Sequence, residues 1–379
     1  MKNLILTGSY RPDVGGLAEM ISGFAGGLIQ HGVQVHILTS TLGAARFSTP
    51  EIPVTEFELP RHGYFRRVLA CRRAVLELAT QKQFDRTVTS SWSPFAVSLP
   101  ARVNNRRLAL DILAHGLDLL EPSASLRYRL LMRRTLRRAG NVLANSHYTA
   151  QLARAMGARN GDIIVMHPGV DCKIFGPGKP NPTLLARHQI PPDAPVLLSV
   201  GRLIERKGFD TVIRALPRVL DRHPSTVYLI VGDGPERGRL SDLANHVGVS
   251  AAVRFAGNIP MTERVAHYQL ARIFVMPNRL IPERRDVEGF GIVFLEAACC
   301  ELPTVGGDSG GVADAIEGGV TGSLVDPDSA EDCATKLISL LSDSELRLRM
   351  GRAGRERACK NFNWFHLTSR YLNAASTNE

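Results

Sequence analysis

The sequence of 379 residues has no uninterrupted apolar run near the ~20 residues that a membrane-crossing helix requires. It has no low-complexity tract and no repeat of solenoid period, which argues against a solenoid. Its first glycine loop lacks the GxGxxG spacing, so it is no ordinary dinucleotide fingerprint. Six cysteines, at 71, 172, 299, 300, 333 and 359, form no CxxC pair and no zinc spacing. They are expected to be reduced core residues of a cytoplasmic protein. Residues 1–7 are too few for a signal-peptide core and read as a first strand.

Acids are scarce relative to bases, 36 against 46, leaving a net charge of +10. The excess is clustered. Arg61, Arg66, Arg67, Arg72 and Arg73 form one group, and Arg127, Arg129, Arg133, Arg134, Arg137 and Arg138 a second. The second group interleaves with leucines at helical spacing. Such a helix suits an anionic membrane surface, or it presents a solvated basic face over a buried leucine stripe. No RNA- or DNA-binding motif accompanies it, so no nucleic acid is expected.

With 44% hydrophobic and 22% charged residues, the composition is that of a soluble globular protein, and the chain is long enough for two domains. Strand, glycine loop, helix and strand alternate from residue 4 onward, predicting doubly wound Rossmann-like sheets. Predicted strands include 86–89, 108–113, 141–144, 196–200 and 227–231. A Pro/Gly-rich run at 176–182 reads as a linker, after which the pattern restarts. In such sheets ligands sit beyond the carboxyl ends of the strands. Gly15 and Gly16 follow the first strand and either approach a phosphate or turn the chain. His115 follows the strand 108–113, in a structural or a functional role. Arg202 and Lys207 follow the strand 196–200 and can hold a diphosphate.

The densest motif is Val287-Glu288-Gly289-Phe290-Gly291-Ile292-Val293-Phe294-Leu295-Glu296. Gly289 and Gly291 permit close backbone approach. The helix starting near Ile292 offers open amides and its positive dipole end to an anion. Glu288 can accept from hydroxyls before the helix and Glu296 from a second hydroxyl group a turn later. A loop cap on a solvated helix is the alternative. Gly307-Asp308-Ser309-Gly310-Gly311 spells a serine-protease motif, but this chain is not the β-barrel which that chemistry uses. Asp326-Pro327-Asp328 looks like a metal-binding pair but stands where a helix N-cap is expected, so no metal is predicted.

Taken in order, Gly201-Arg202-Leu203, Lys207-Gly208, Glu288 through Glu296 and Gly310-Gly311 resemble the retaining GT-B glycosyltransferases of family 4. Pro12 through Gly16, Ala114-His115-Gly116, Ala144-Asn145-Ser146 and Pro168-Gly169-Val170-Asp171 match that family too. The resemblance spans nearly the whole chain and is strongest to bacterial mannosyltransferases acting on phosphatidylinositol mannosides. One departure is Asp314, where the family often has Glu.

The resemblance implies two tandem domains facing across a cleft: residues 1–178 on the acceptor side and 179–362 on the donor side. A last helix, 363–379, is expected to cross back to the first domain. It implies a retaining transfer of a hexose, mannose first, from a nucleotide diphosphate sugar to a glycan, lipid-linked or small-molecule hydroxyl. GDP-mannose is the expected co-substrate, UDP-sugars come next, and no cofactor is needed. Arg202 and Lys207 would bind diphosphate, Glu288 the sugar and Glu296 the ribose. Gly289 and Phe290 belong to the same loop. Amides of Gly291, Ile292 and Val293 would touch phosphate or sugar, and Asn258 and Ile259 the base. His115 would lie near the anomeric centre, with Gly15 and Gly16 bordering the phosphates. The protein is expected in the cytoplasm, either free there or peripheral at the inner membrane face. A sugar-nucleotide epimerase or hydrolase, or a non-catalytic nucleotide-sugar binder, are the rival readings.

Overall fold

The computed structural model describes residues 1–377 apart from 14, 100, 101, 104, 105, 108 and 121–124. The chain divides into two compact units, Met1–Gly169 with Trp364–Glu379, and Val170–Asn363. The first crossing falls at Gly169–Val170, ahead of the Pro/Gly-rich run. Val170, Cys172 and Phe175 already pack on the core of the second unit.

The first unit carries strands β1 (Lys2–Thr7), β2 (Gln34–Thr39), β3 (Val54–Glu56) and β4 (Arg86–Thr89). A small antiparallel hairpin, β5 (Arg102–Val103) and β6 (Arg106–Arg107), leads to β7 (Ala109–Ala114), β8 (Asn141–Ala144) and β9 (Ile163–Val165). The seven-stranded sheet has the order β3-β2-β1-β4-β7-β8-β9 and is parallel throughout. Its helices are α1 (Gly16–Gln30), α2 (Tyr64–Gln81), α3 (Leu117–Leu120), α4 (Leu126–Arg138) and α5 (His147–Ala155). Two hydrophobic clusters cover the sheet, one around Phe24 and Tyr371 and one around Trp92 and Met132. Central strands are buried on both faces; Val227–Val231 and Ile273–Met276 of the second unit accordingly read as apolar runs, whereas β4 and β8 bury Arg86, Thr87, Thr89 and Asn141.

The second unit opens with α6 (Pro182–Arg187). Then β10 (Val196–Val200), α7 (Phe209–Arg222), β11 (Val227–Val231), α8 (Arg237–His246), β12 (Val253–Gly257), α9 (Met261–Tyr268) and β13 (Ile273–Met276) follow. It continues through α10 (Ile292–Cys299), β14 (Thr304–Gly307), α11 (Val312–Ala315), β15 (Gly322–Val325), α12 (Ala330–Ser342) and α13 (Ser344–Asn361). The parallel sheet has the order β12-β11-β10-β13-β14-β15. That order reverses direction between β10 and β13, which opens a crevice at their carboxyl ends.

The last helix, α14 (Trp364–Thr377), packs on α1 of the first unit. A side chain on Gly23 would come within 2.1 Å of the Trp364 ring, so the close approach of the two helices requires glycine there. A buried carboxylate fixes the far end of α14. Asp111 pairs with Arg86 at 2.9 Å and accepts from the Tyr371 hydroxyl at 2.8 Å. Its other oxygen accepts from the Asn141 amide and side chain, both at 2.9 Å. Arg86 also donates to the Ala375 carbonyl at 3.0 Å. Burial, then the Asp111 charge, hold the Tyr371 hydroxyl protonated.

Two expectations are corrected. Cys172 and Cys359 are joined by a disulfide, so not all six cysteines are reduced. The chain brings them together because Val170 and Phe362, beside its two crossings, are hydrogen-bonded at 2.9 Å. Cys71, Cys299, Cys300 and Cys333 are free and buried, as core thiols should be. Nor does Asp326 cap a helix: Ser329 caps α12 by accepting from Asp332 N–H. Asp326 instead accepts from the Asp328 amide within the preceding turn.

Removing one partner of a buried ion pair leaves the other charge unpaired, at a cost of about 3–5 kcal/mol. Asp111→Ala should therefore destabilise the protein by about that much in urea unfolding, and Tyr371→Phe by about 1.5–3 kcal/mol, the worth of a hydrogen bond to a charge. Equal stability of Tyr371→Phe and the parent would remove this role for Asp111.

Candidate functional site

The loops after β10 and β13 meet at the switch point of the second sheet. The β10 loop makes one 3-10 turn, Glu205–Lys207, and leaves it through Gly208 at φ 72°. A side chain on Gly208 would stand 2.0 Å from the Pro277 carbonyl, so only glycine lets the two loops close on one another. This contact brings Lys207, from the β10 loop, to Glu288, from the β13 loop.

Glu288 is the centre of the arrangement. Lys207 Nζ donates to its Oε2 at 2.6 Å, and Asn278 Nδ2 donates to the same oxygen at 3.1 Å. Arg206 Nε lies 3.7 Å away while its guanidinium is paired with Asp286 at 2.8 Å. Burial opposes ionisation of Glu288, but the Lys207 and Arg206 charges outweigh it and hold its pKa below the usual value. The Glu288 carbonyl accepts from Gly311 N–H at 2.9 Å, which ties the β14 loop to the same point. Asn278 Oδ1 is buried and has no hydrogen-bond partner among the described residues, so an acceptor is left for a ligand donor.

Beyond Glu288 and the buried Gly289 and Phe290, Gly291 takes a left-handed conformation and α10 begins. No side chain caps α10, and Ile292 and Val293 at its start are half-buried. Its first amides have no partner within the helix. Arg202 is exposed and has no ion pair among the described residues, which leaves a cation for an anionic group.

Glu296 lies deeper. Its carboxylate is 1% exposed, accepting from the Tyr268 hydroxyl at 2.6 Å and pairing with Arg264 at 2.8 Å. Arg264 and Tyr268 are four residues apart on α9 and share a face. Asn258 and Ile259 form the loop between β12 and α9, with Asn258 exposed.

The candidates of the first unit stand at its own carboxyl edge. Gly15 and Gly16 are exposed at the start of α1, and nothing lies within 4 Å of a side chain placed on Gly15. His115 follows β7, and its Nε2 lies 3.0 Å from the Ser90 carbonyl at the end of β4. A carbonyl only accepts, so Nε2 carries the proton and Nδ1 keeps its lone pair. Burial lowers the His115 pKa to about 4, with the Ser90 carbonyl opposing, so the ring is neutral at neutral pH. Asp118 accepts from the His115 amide at 2.9 Å, and burial raises its carboxyl to about 7.

Five residues escaped the sequence reading: Arg206, Asn278, Asp286, Arg264 and Tyr268. Asn278 stands two residues past the end of β13, where the strand-end rule would have found it. The i, i+4 spacing of Arg264 and Tyr268 was a signal only once Glu296 was known to lie beneath them.

Among known proteins, residues 14–174 match the model of Glycosyltransferase Family 4 and residues 181–357 that of Glycosyl transferases group 1. A GDP-mannose-dependent alpha-(1-6)-phosphatidylinositol monomannoside mannosyltransferase of Mycolicibacterium smegmatis is 38% identical over 237 residues, 61% of this chain and 62% of that one. The match thus spans less than two thirds of that relative. A GDP-mannose-dependent monoacylated alpha-(1-6)-phosphatidylinositol monomannoside mannosyltransferase of Corynebacterium glutamicum is 28% identical over 98% of this chain and 97% of its own. The solved structure of Anabaena Alr3699/HepE in complex with UDP and glucose shares the fold, with a TM-score of 0.80 at 21% identity over all of both chains.

Glu288 has a lower pKa folded than unfolded, where it is about 4.3. Its stabilising contribution is therefore complete above that value and is lost as pH falls through the folded pKa. In Lys207→Met, burial is opposed by Arg206 alone, so the titration should move upward and the loss of stability begin at higher pH. Urea midpoints measured from pH 3 to 7 check this; an acid limb identical to the parent's would contradict the pairing.

Proposed function

We propose that this chain, which belongs to the GT-B glycosyltransferases through its family 4 and group 1 domains, transfers mannose from GDP-mannose to a hydroxyl of a phosphatidylinositol-type glycolipid, with retention. The observation that carries the reading is the Glu288–Lys207–Asn278 clamp at the switch point, beside the uncapped start of α10. The GDP-mannose dependence and inositol-lipid acceptors in the names of the relatives support the choice of donor and acceptor.

The geometry divides the labour of such a transfer. As the bond from sugar to diphosphate breaks, negative charge grows on the leaving group. Arg202, Lys207 and the amides of Gly291, Ile292 and Val293 meet that charge without reorganising. Glu288, kept ionised, accepts from hydroxyls of the sugar, and the open Asn278 Oδ1 adds an acceptor. Glu296, already oriented by Tyr268 and Arg264, is assigned to the ribose hydroxyls. Asn258 and Ile259 border the base. In the first unit, neutral His115 keeps an acceptor nitrogen for a ligand hydroxyl, and Gly15 and Gly16 let a ligand approach the backbone. The acceptor's proton goes to the leaving phosphate, so no covalent nucleophile is required, and no residue here is assigned to a metal.

A membrane surface fits the first unit. The expected leucine stripe is only partly buried: Met132 and Leu136 face the core, but Leu126 is 70% and Leu130 60% exposed. The Tyr64 and Tyr128 rings meet at 5.3 Å, which sets the start of α2 beside that of α4. Phe65 and Leu69 on α2 are exposed as well. Exposed apolar residues between arginines suit an anionic bilayer, where a lipid acceptor resides.

Transfer to phosphatidylinositol mannoside, measured with a panel of GDP- and UDP-sugars, tests the reading. GDP-mannose should be the best donor, and Glu288→Ala or Lys207→Ala should each lower kcat by roughly 10²–10³-fold, the usual loss for a transition-state contact. Wild-type turnover in either variant would sink the assignment. Each arginine near an anionic surface is worth about 1 kcal/mol. Replacing Arg133, Arg134, Arg137 and Arg138 with Gln should therefore weaken sedimentation with phosphatidylinositol vesicles by well over about 100-fold. Undiminished sedimentation would rule out this surface.

A further inference from the structure

Three sulfurs meet where the chain enters and leaves the second unit. Cys172 follows the first crossing, Cys359 precedes the second, and Cys299 closes α10. Cys172 and Cys359 are bonded, and the free Cys299 Sγ lies 3.1 Å from Cys172 Sγ. Neither the proposed transfer nor the donor site uses these residues. A cation among the three is disfavoured, since two sulfurs are bonded and the Arg355 guanidinium donates to the Cys299 carbonyl.

We propose that Cys172, Cys299 and Cys359 form an exchangeable thiol–disulfide set, in which Cys299 takes Cys172 from Cys359 and so sets the position of α10. The step balances internally. The Cys299 thiolate attacks Cys172 Sγ, the Cys172–Cys299 bond forms and the Cys172–Cys359 bond breaks. Cys359 leaves as a thiolate and takes up the proton that Cys299 gave away. No outside oxidant is consumed. In one state the disulfide staples the two crossing segments together. In the other it staples the first crossing to the end of the helix whose start carries Gly291, Ile292 and Val293. Bond formation needs Cys299 and Cys172 to approach by about 1 Å, and α10 is only about 12 Å long.

The environment of Cys299 makes the exchange slow and base-driven. Burial raises its thiol to about 12; Arg355 on α13 opposes this, while Glu296 on α10 and Asp171 beside Cys172 add to it. Cys300 next to it is raised to about 12 as well, and Glu301 lies 3.9 Å from Arg355. Well below that pKa the thiolate fraction rises about tenfold per pH unit.

The test is disulfide mapping of the full chain, purified without reductant, incubated at pH 7 and pH 9, quenched in acid, alkylated and digested. Both Cys172–Cys359 and Cys172–Cys299 peptides should appear, interconverting about 100-fold faster at pH 9. Cys359→Ser, given oxidised glutathione, should close Cys172–Cys299. A single linkage in the parent at both pH values, or three reduced thiols holding zinc, would overturn the proposal. So would free Cys172 and Cys299 in the oxidised Cys359→Ser chain. A further arm rests on the proposed function: GDP-mannose affinity should differ at least threefold between Cys359→Ser oxidised and reduced. Equal affinities would overturn control of α10. Failure of every nucleotide sugar to bind, with both linkages formed, would defeat the donor reading and leave the exchange standing.

Discussion

A carboxylate buried without cations would sooner take a proton than stay charged, and the second unit is arranged to prevent this at Glu288. Lys207 and Arg206 reach it from the loop after β10, Asn278 from the loop after β13. Those loops belong to strands on either side of the point where the sheet reverses its winding, so the charge is held at the place where parallel sheets leave a crevice. The contact of Gly208 with the Pro277 carbonyl makes this convergence sterically possible. Gly311 pins the Glu288 backbone from a third loop, and the open start of α10 follows three residues on. The site is one electrostatic unit rather than a row of independent contacts.

The first unit applies a similar device at the opposite end of its sheet. Asp111 joins Arg86, Asn141, Tyr371 and, through Arg86, the Ala375 carbonyl. Arg86 and Asn141 open their strands, so this network lies toward the amino ends and fastens α14 there. Gly15, Gly16, Ser90 and His115 stand at the other, carboxyl edge of the sheet. The neutral state of His115 follows from burial beside an uncharged carbonyl, which offers no anion to stabilise imidazolium.

Much of this was legible in the residues. The strands 86–89, 141–144, 196–200 and 227–231 are observed with those bounds; 196–200 and 227–231 are almost wholly apolar, as doubly buried strands are. Ser146 caps α5 as expected, accepting from the Thr149 amide. Gly-rich strand ends marked Lys207, Glu288 and His115, because a parallel sheet has only one edge where loops can hold a ligand. Side chains that meet across long separations were not legible. Asn278 and Arg206 converge on Glu288 through loop geometry, and Arg264 and Tyr268 of α9 reach Glu296 of α10 across about thirty residues of chain. The leucines of α4 illustrate the same limit: helical spacing shows that they share a face, but not which part of the face a neighbour covers.

The sequence by itself determined two parallel α/β units, their strand-end loops and the helix start after Gly291, because hydrophobic period, glycine and helix-end chemistry are local properties. Only the tertiary structure decided the rest. It placed Cys172 against Cys359 and Cys299, residues 187 and 127 positions apart, which no spacing rule anticipates. It gave Glu296 to Tyr268 and Arg264. Those outcomes depend on which buried charges and surfaces must be satisfied together, a condition on the whole fold that no single stretch of residues contains.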